Sequence, residues 1–184
     1  MHLLITLLLA HLFADFPLQT NRLAKLKRTS LKGVFIHVLI YMVVTALLLH
    51  QPFRYWPLVI GLGTIHFLID ALKMVCNKVG EIRCFVIDQC LHFSSVVAAT
   101  YLVYQYWSPI PVGILPTGLL YGSFICAFTL AVIVFFWIWT NGLTEEQIRR
   151  YLLLYWVKHR ALAFEQRVGL LLFAVVFFGQ FVIK

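Results

Sequence analysis

A chain of 184 residues that is 62% hydrophobic and only 12% charged is not composed like a soluble domain, in which about a quarter of the residues carry charge. With a mean hydropathy of +0.90, residues 1–184 read as a single all-α, polytopic transmembrane domain, and the continuous, non-alternating apolar runs argue against a barrel. The formal charge of +8 sits in the connections between those runs, which points to membrane orientation and not to nucleic acid.

In chain order the apolar segments fall at 1–16, 33–49, 56–72, 85–106, 113–139 and 168–183, so about six transmembrane helices are expected. The first is shorter than the 17–25 residues a span needs. It lacks a basic n-region and a cleavage site, so it reads as a retained helix ended by Pro17. The fifth contains Pro116 near its start, which predicts a kink or a later beginning. Trp56, Trp107, Trp137 and Trp139 lie near segment ends, where aromatic belts form. Gly61 and Gly63 suggest close helix packing. The four cysteines, Cys76, Cys84, Cys90 and Cys126, have no C-x-x-C spacing and read as reduced structural thiols.

The connections differ sharply in charge. The first carries Arg22, Lys25, Lys27, Arg28 and Lys32; the third Lys73, Lys78 and Arg83; the fifth Arg149, Arg150, Lys158, Arg160 and Arg167. Only Arg54 and Lys184 lie elsewhere. The positive-inside rule then puts the odd connections in the cytoplasm and both termini outside. Thr144-Glu145-Glu146-Gln147 is a capping box. It predicts that 140–167 is a cytoplasmic loop carrying an interfacial amphipathic helix, or alternatively a lid over a site.

The chemistry is concentrated in three pairs. His11 and Asp15, His66 and Asp70, and Asp88 and His92 each stand four residues apart, on one face of a helix. These are the three aspartates of the chain. The spacing repeats: His11 precedes His37 by 26 residues, His66 precedes His92 by 26, and the copies are offset by 55. Two helical hairpins, 1–49 and 56–106, therefore carry matching residues, as in repeats that build a site at their interface. Asp88 lies outside the repeat, where Gly33 stands in the other copy. By the alternating topology all seven residues fall at similar depth.

An intramembrane carboxylate costs about 2.5–3.5 kcal/mol on insertion scales. No Lys or Arg lies inside the six segments, so no structural ion pair is expected. Helix-packing His–Asp pairs are the plain alternative; the repeat favours a metal site or a proton path. Imidazole and carboxylate donors suit Zn first, with Mn or Fe as alternatives. His11, Asp15, His37, His66, Asp70 and His92 are the expected ligands, and Asp88 a bridging ligand or the general base. Lys25, Lys32 and Lys73 are candidates to neutralise phosphate charge. Gln19, one turn beyond Asp15, and Gln89 could hydrogen-bond a ligand.

On the strings HLFADFPLQT with Lys25, the early His37, HFLIDALK and DQCLH, the first half of the chain resembles a bacterial membrane family catalogued as domain of unknown function 3307. That family carries no established activity to transfer. More distantly, the His–Asp pattern is similar to inner-membrane metal-dependent hydrolases, which implies hydrolysis of a phosphoester in an anionic, lipid-linked substrate, with membrane lipids as the surrounding partners. A divalent-ion or proton transporter or channel is the rival expectation, and a structural or regulatory membrane subunit the third.

Overall fold

The computed structural model describes residues 1–75, 80–110 and 113–182; Cys76, Lys78 and Lys184 lie outside them. Among the described residues the chain is helical, in the order α1 (His2–Asp15), α2 (Asn21–Thr29), α3 (Leu31–Leu48), α4 (Trp56–Val75), α5 (Glu81–Tyr106), α6 (Thr117–Thr140), α7 (Glu145–Arg150) and α8 (Leu152–Val182). Five of these, α3, α4, α5, α6 and α8, are long and apolar enough to cross a membrane. Their outward faces carry residues such as Phe35, Leu68, Leu91, Ile125 and Leu171. A soluble fold would not leave so much apolar surface uncovered.

The first expected span is the exception. At 14 residues, α1 is about 21 Å long, too short for a hydrocarbon core of about 30 Å. It does not have to match the lipid, because it is the central helix, packed by α3, α5 and α6. Leu3, Leu7, Leu9, Leu12 and Phe13 are all buried there. It ends at Asp15, ahead of Pro17, and the Pro17 ring lies against α8 at Gly169, where an added Cβ would come within 2.5 Å of the ring.

Caps set three further boundaries, the first of them the later beginning that Pro116 predicts. The fifth span begins at Thr117, with Pro116 as its N-cap, because Pro cannot donate inside a helix but suits its start. The first connection is a helix: Thr20 caps α2 through its hydroxyl, and Ser30 caps α3 in the same way. The segment 140–167 is mostly helix, and its second half is the start of α8. The capping box at Thr144 and Gln147 forms and opens α7. After an extended Tyr151, α8 then runs unbroken for 31 residues, about 46 Å. The hydropathy dip around Lys158–Arg167 marks no break. Val157, Ala161 and Glu165, spaced by four, point inward while Arg160 and Arg167 point out. Of the two glycines expected to mediate packing, Gly63 meets Met42, whereas nothing approaches Gly61 within 4 Å.

The two ends of the bundle differ. At one, Asn141, the C-cap of α6, donates to Glu81 at the start of α5 at 3.3 Å and accepts from Lys158 of α8 at 2.7 Å. At the other, the Met1 amine donates to Tyr104 Oη, Tyr55 Oη to the Pro109 carbonyl and Ile114 N to the Leu48 carbonyl. The described basic connections thus gather at one end and the charge-poor ones at the other.

Candidate metal centre

The His–Asp pairs meet just inside the basic end. They come from the second halves of α1 and α4 and the first halves of α3 and α5. His11, Asp15, His37, His66, Asp70, Asp88 and His92 are all buried, and they face one another. His37 Nε2 stands 3.0 Å from Asp15 Oδ1 and 3.0 Å from His66 Nε2. His66 Nε2 is 3.4 Å from Asp15 Oδ1 and 3.5 Å from Asp70 Oδ2. His92 Nε2 is 3.5 Å from both Asp70 Oδ1 and Asp88 Oδ1. His11 Nε2 donates to Gln89 Oε1 at 3.3 Å and lies 3.8 Å from Asp15 Oδ2.

All four rings turn Nε2 into the cluster. They are positioned by ring packing: Tyr41 stacks on His66 with centroids 4.4 Å apart, and His66 on His92 at 4.0 Å. The Nδ1 atoms of His11, His37 and His92 are buried without a hydrogen-bond partner. The donor spacing of 3.0–3.8 Å fits a metal: with bonds of about 2.0–2.1 Å, tetrahedral ligands stand about 3.3 Å apart. Among the described residues, three sets of buried donors are close enough to hold an ion: His11, His66 and His92; Asp15, His37 and His66; and Asp15, Asp88 and His92.

The expectation that no cation would reach these carboxylates is corrected. Lys27 Nζ lies 2.9 Å from Asp70 Oδ1, and Lys73 Nζ 2.6 Å from Asp88 Oδ2. Lys27 is only 8% exposed. Burial alone favours its neutral amine, but Asp15, Asp70 and Asp88 outweigh that and hold its pKa above the ordinary lysine value. It gets there because α2 presses on α3. At Gly33 an added Cβ would sit 2.5 Å from Lys27 N. The signal for this was present in the sequence: a Thr N-cap, then Leu23 and Lys27 one turn apart on the single buried face of α2.

A cavity of about 640 Å³ opens beside the cluster, lined by Asp15, Asp70 and Asp88 among others. Lys25, Lys27, Arg28 and Lys73 also line it, as does Gln19. The histidines lie behind the carboxylates and do not line it. Gln89 lines it too and bridges the cluster, its Nε2 donating to Asp15 Oδ2 at 3.0 Å and Asp88 Oδ2 at 3.3 Å. Lys32 does not fit the expectation: it is exposed and does not line the cavity. A residue the sequence reading passed over, Glu165 of α8, does line it, 1% exposed. Its Oε1 has no hydrogen-bond partner. Its signal was the inward spacing with Val157 and Ala161, masked by the charges around it.

Among known proteins, the family described as protein of unknown function (DUF3307) matches residues 3–117, from α1 through α5 to the start of α6. No curated protein and no solved structure matches the chain. The family match takes in all seven residues of the His–Asp cluster and more than half of the sequence, and the protein belongs to the DUF3307 family.

Proposed function

We propose that this protein is a metal-dependent hydrolase of the inner membrane that cleaves a phosphoester in an anionic, lipid-linked substrate at its cytoplasmic face. The observation that carries this reading is the composition of one cavity: carboxylates backed by imidazoles on its floor, and Lys25, Arg28 and Lys73 on its walls. A divalent ion, with Zn the best fit to the donors and Mn or Fe next, would polarise the phosphoryl group and lower the pKa of a bound water. The chain's own lysines would offset phosphate charge in a site of low dielectric. Gln19, whose Oε1 is buried without a partner, would accept a hydrogen bond from the substrate.

Transport would need a path to the far end of the bundle. Beyond the cluster in that direction lie Leu3, Leu7, Val44, Leu48, Leu62, Val96 and Val103, all buried apolar residues. That packing counts against a conducting route.

The test is metal analysis of gently purified full-length protein, followed by a panel of lipid and soluble phosphoesters. Turnover that requires Zn, Mn or Fe is expected. Metal should leave as pH falls through and below about 6.5, because protons compete for imidazole. Protein that holds no divalent metal and hydrolyses nothing on the panel, yet moves ions across a vesicle membrane, would replace this reading with the transport one.

A further inference from the structure

Seven converging ionisable side chains exceed what one Zn takes, commonly four ligands. They also divide about one carboxylate. Asp15 Oδ1 faces His37 and His66, at 3.0 and 3.4 Å. Its Oδ2 accepts from Gln89 Nε2, and the same amide lies against Asp88 Oδ2. Gln89 therefore ties the second oxygen of Asp15 to the Asp88 side. Two of the three donor sets follow this division: Asp15 with His37 and His66, and Asp15 with Asp88 and His92, share no other residue, while the third, His11, His66 and His92, takes one histidine from each side.

A single ion at the first set would leave a problem at the second. Asp88 Oδ1 and His92 Nε2 are buried and stand 3.5 Å apart without a well-formed hydrogen bond, and buried polar atoms in folded proteins rarely stay so loosely paired. The outer oxygen of Asp88 is already held by Lys73, so its inner oxygen is fixed in place facing His92. The charges agree. Three aspartates against Lys27 and Lys73 leave one excess negative charge when the imidazoles are neutral. One divalent ion brings the core to a single positive charge; only a second lifts it above the two negative charges of a phosphomonoester.

We propose that the cluster holds two divalent ions bridged by Asp15, one bound by His37 and His66 and the other by Asp88 and His92. This rests on the metal-site reading above and sharpens it: the residue outside the sequence repeat is a ligand of the second ion, not a base. Paired ions about 3.5–4 Å apart clamp the attacking and leaving oxygens of a phosphate ester, which makes a phosphomonoester the matching substrate class.

The experiment loads the full-length protein with Mn(II) in detergent and reads metal content by mass spectrometry and coupling by electron paramagnetic resonance. About two ions per chain with a spin-coupled signal are expected, as for ions sharing a carboxylate. Asp88→Asn should fall to about one uncoupled ion, and His37→Ala should do so from the other side. The wild-type measurement stands even if a variant misfolds. One ion per wild-type chain with phosphoester turnover intact would overturn the pair and leave the hydrolase reading standing. Two uncoupled ions would overturn the shared Asp15, and two coupled ions in Asp88→Asn would overturn the second ligand set. Wild-type protein that binds neither Mn(II) nor Zn nor Fe would overturn both readings.

Discussion

At the scale of single residues, Lys27 changes what the carboxylates cost. Without it Asp70 would be a buried charge facing only imidazoles. Removing one partner of a buried ion pair costs about 3–5 kcal/mol, because the other charge is left unpaired. Lys27→Ala should therefore destabilise the metal-free protein by about that amount, whereas Lys32→Ala, at an exposed position, should stay within about 0.5 kcal/mol. Denaturant unfolding in detergent separates the two, and equal small effects would mean that the Lys27–Asp70 pair does not form. The pH dependence has a definite sign. A raised lysine pKa contributes stability that is complete below the ordinary value of about 10.4 and is lost only as pH climbs through the higher folded value. The stabilisation from Lys27 should therefore be constant across neutral pH, and any acid sensitivity belongs to the other groups.

At the scale of elements, the position of α2 decides whether Lys27 reaches the site. Gly33 lets the α2 backbone lie directly on α3. In the repeat Gly33 matches Asp88, so one copy uses the position for contact and the other for chemistry. Gly33→Ala should push α2 outward, costing about 1–3 kcal/mol as overpacking does, and should weaken metal retention along with it. A Gly33→Ala protein with unchanged melting and metal content would show that α2 is not seated by this contact. On the opposite wall, α8 brings Leu162, Glu165 and Gln166 to the cavity from the region expected to be a loop. Its continuity makes that wall part of a rigid helix.

At the scale of the whole molecule, the described basic connections share one end of the bundle, and the cavity opens among them. From this the positive-inside rule predicts a cavity mouth in the cytoplasm and both termini outside. Cysteine labelling of intact cells at position 2 and near Lys25 should mark the first only. Labelling near Lys25 from outside would reverse the orientation and remove the cytoplasmic substrate from the proposal. The central place of α1 also bears on assembly of the fold, because a short helix surrounded by α3, α5 and α6 is buried by its neighbours and not by lipid.

The sequence by itself determined the helical membrane class, the alternation of basic connections and the membership of the His–Asp cluster. Each of these follows from local quantities: hydropathy over a helix length, charge counts between segments, and the four-residue spacing that stacks His on Asp. The 26-residue spacing in both copies went further and anticipated that His37 and His92 would meet the two pairs. Only the tertiary structure decided which groups neutralise the carboxylates. Lys27, Lys73 and Gln89 reach them across helix interfaces, at distances that depend on how closely the backbones approach, as at Gly33. The same holds for α1, which hydropathy reads as a marginal span and packing makes the core. It holds also for Glu165, which sits among charges in the sequence but on the one inward stripe of α8. Hydropathy averages over all sides of a helix, whereas burial depends on the side that meets a neighbour.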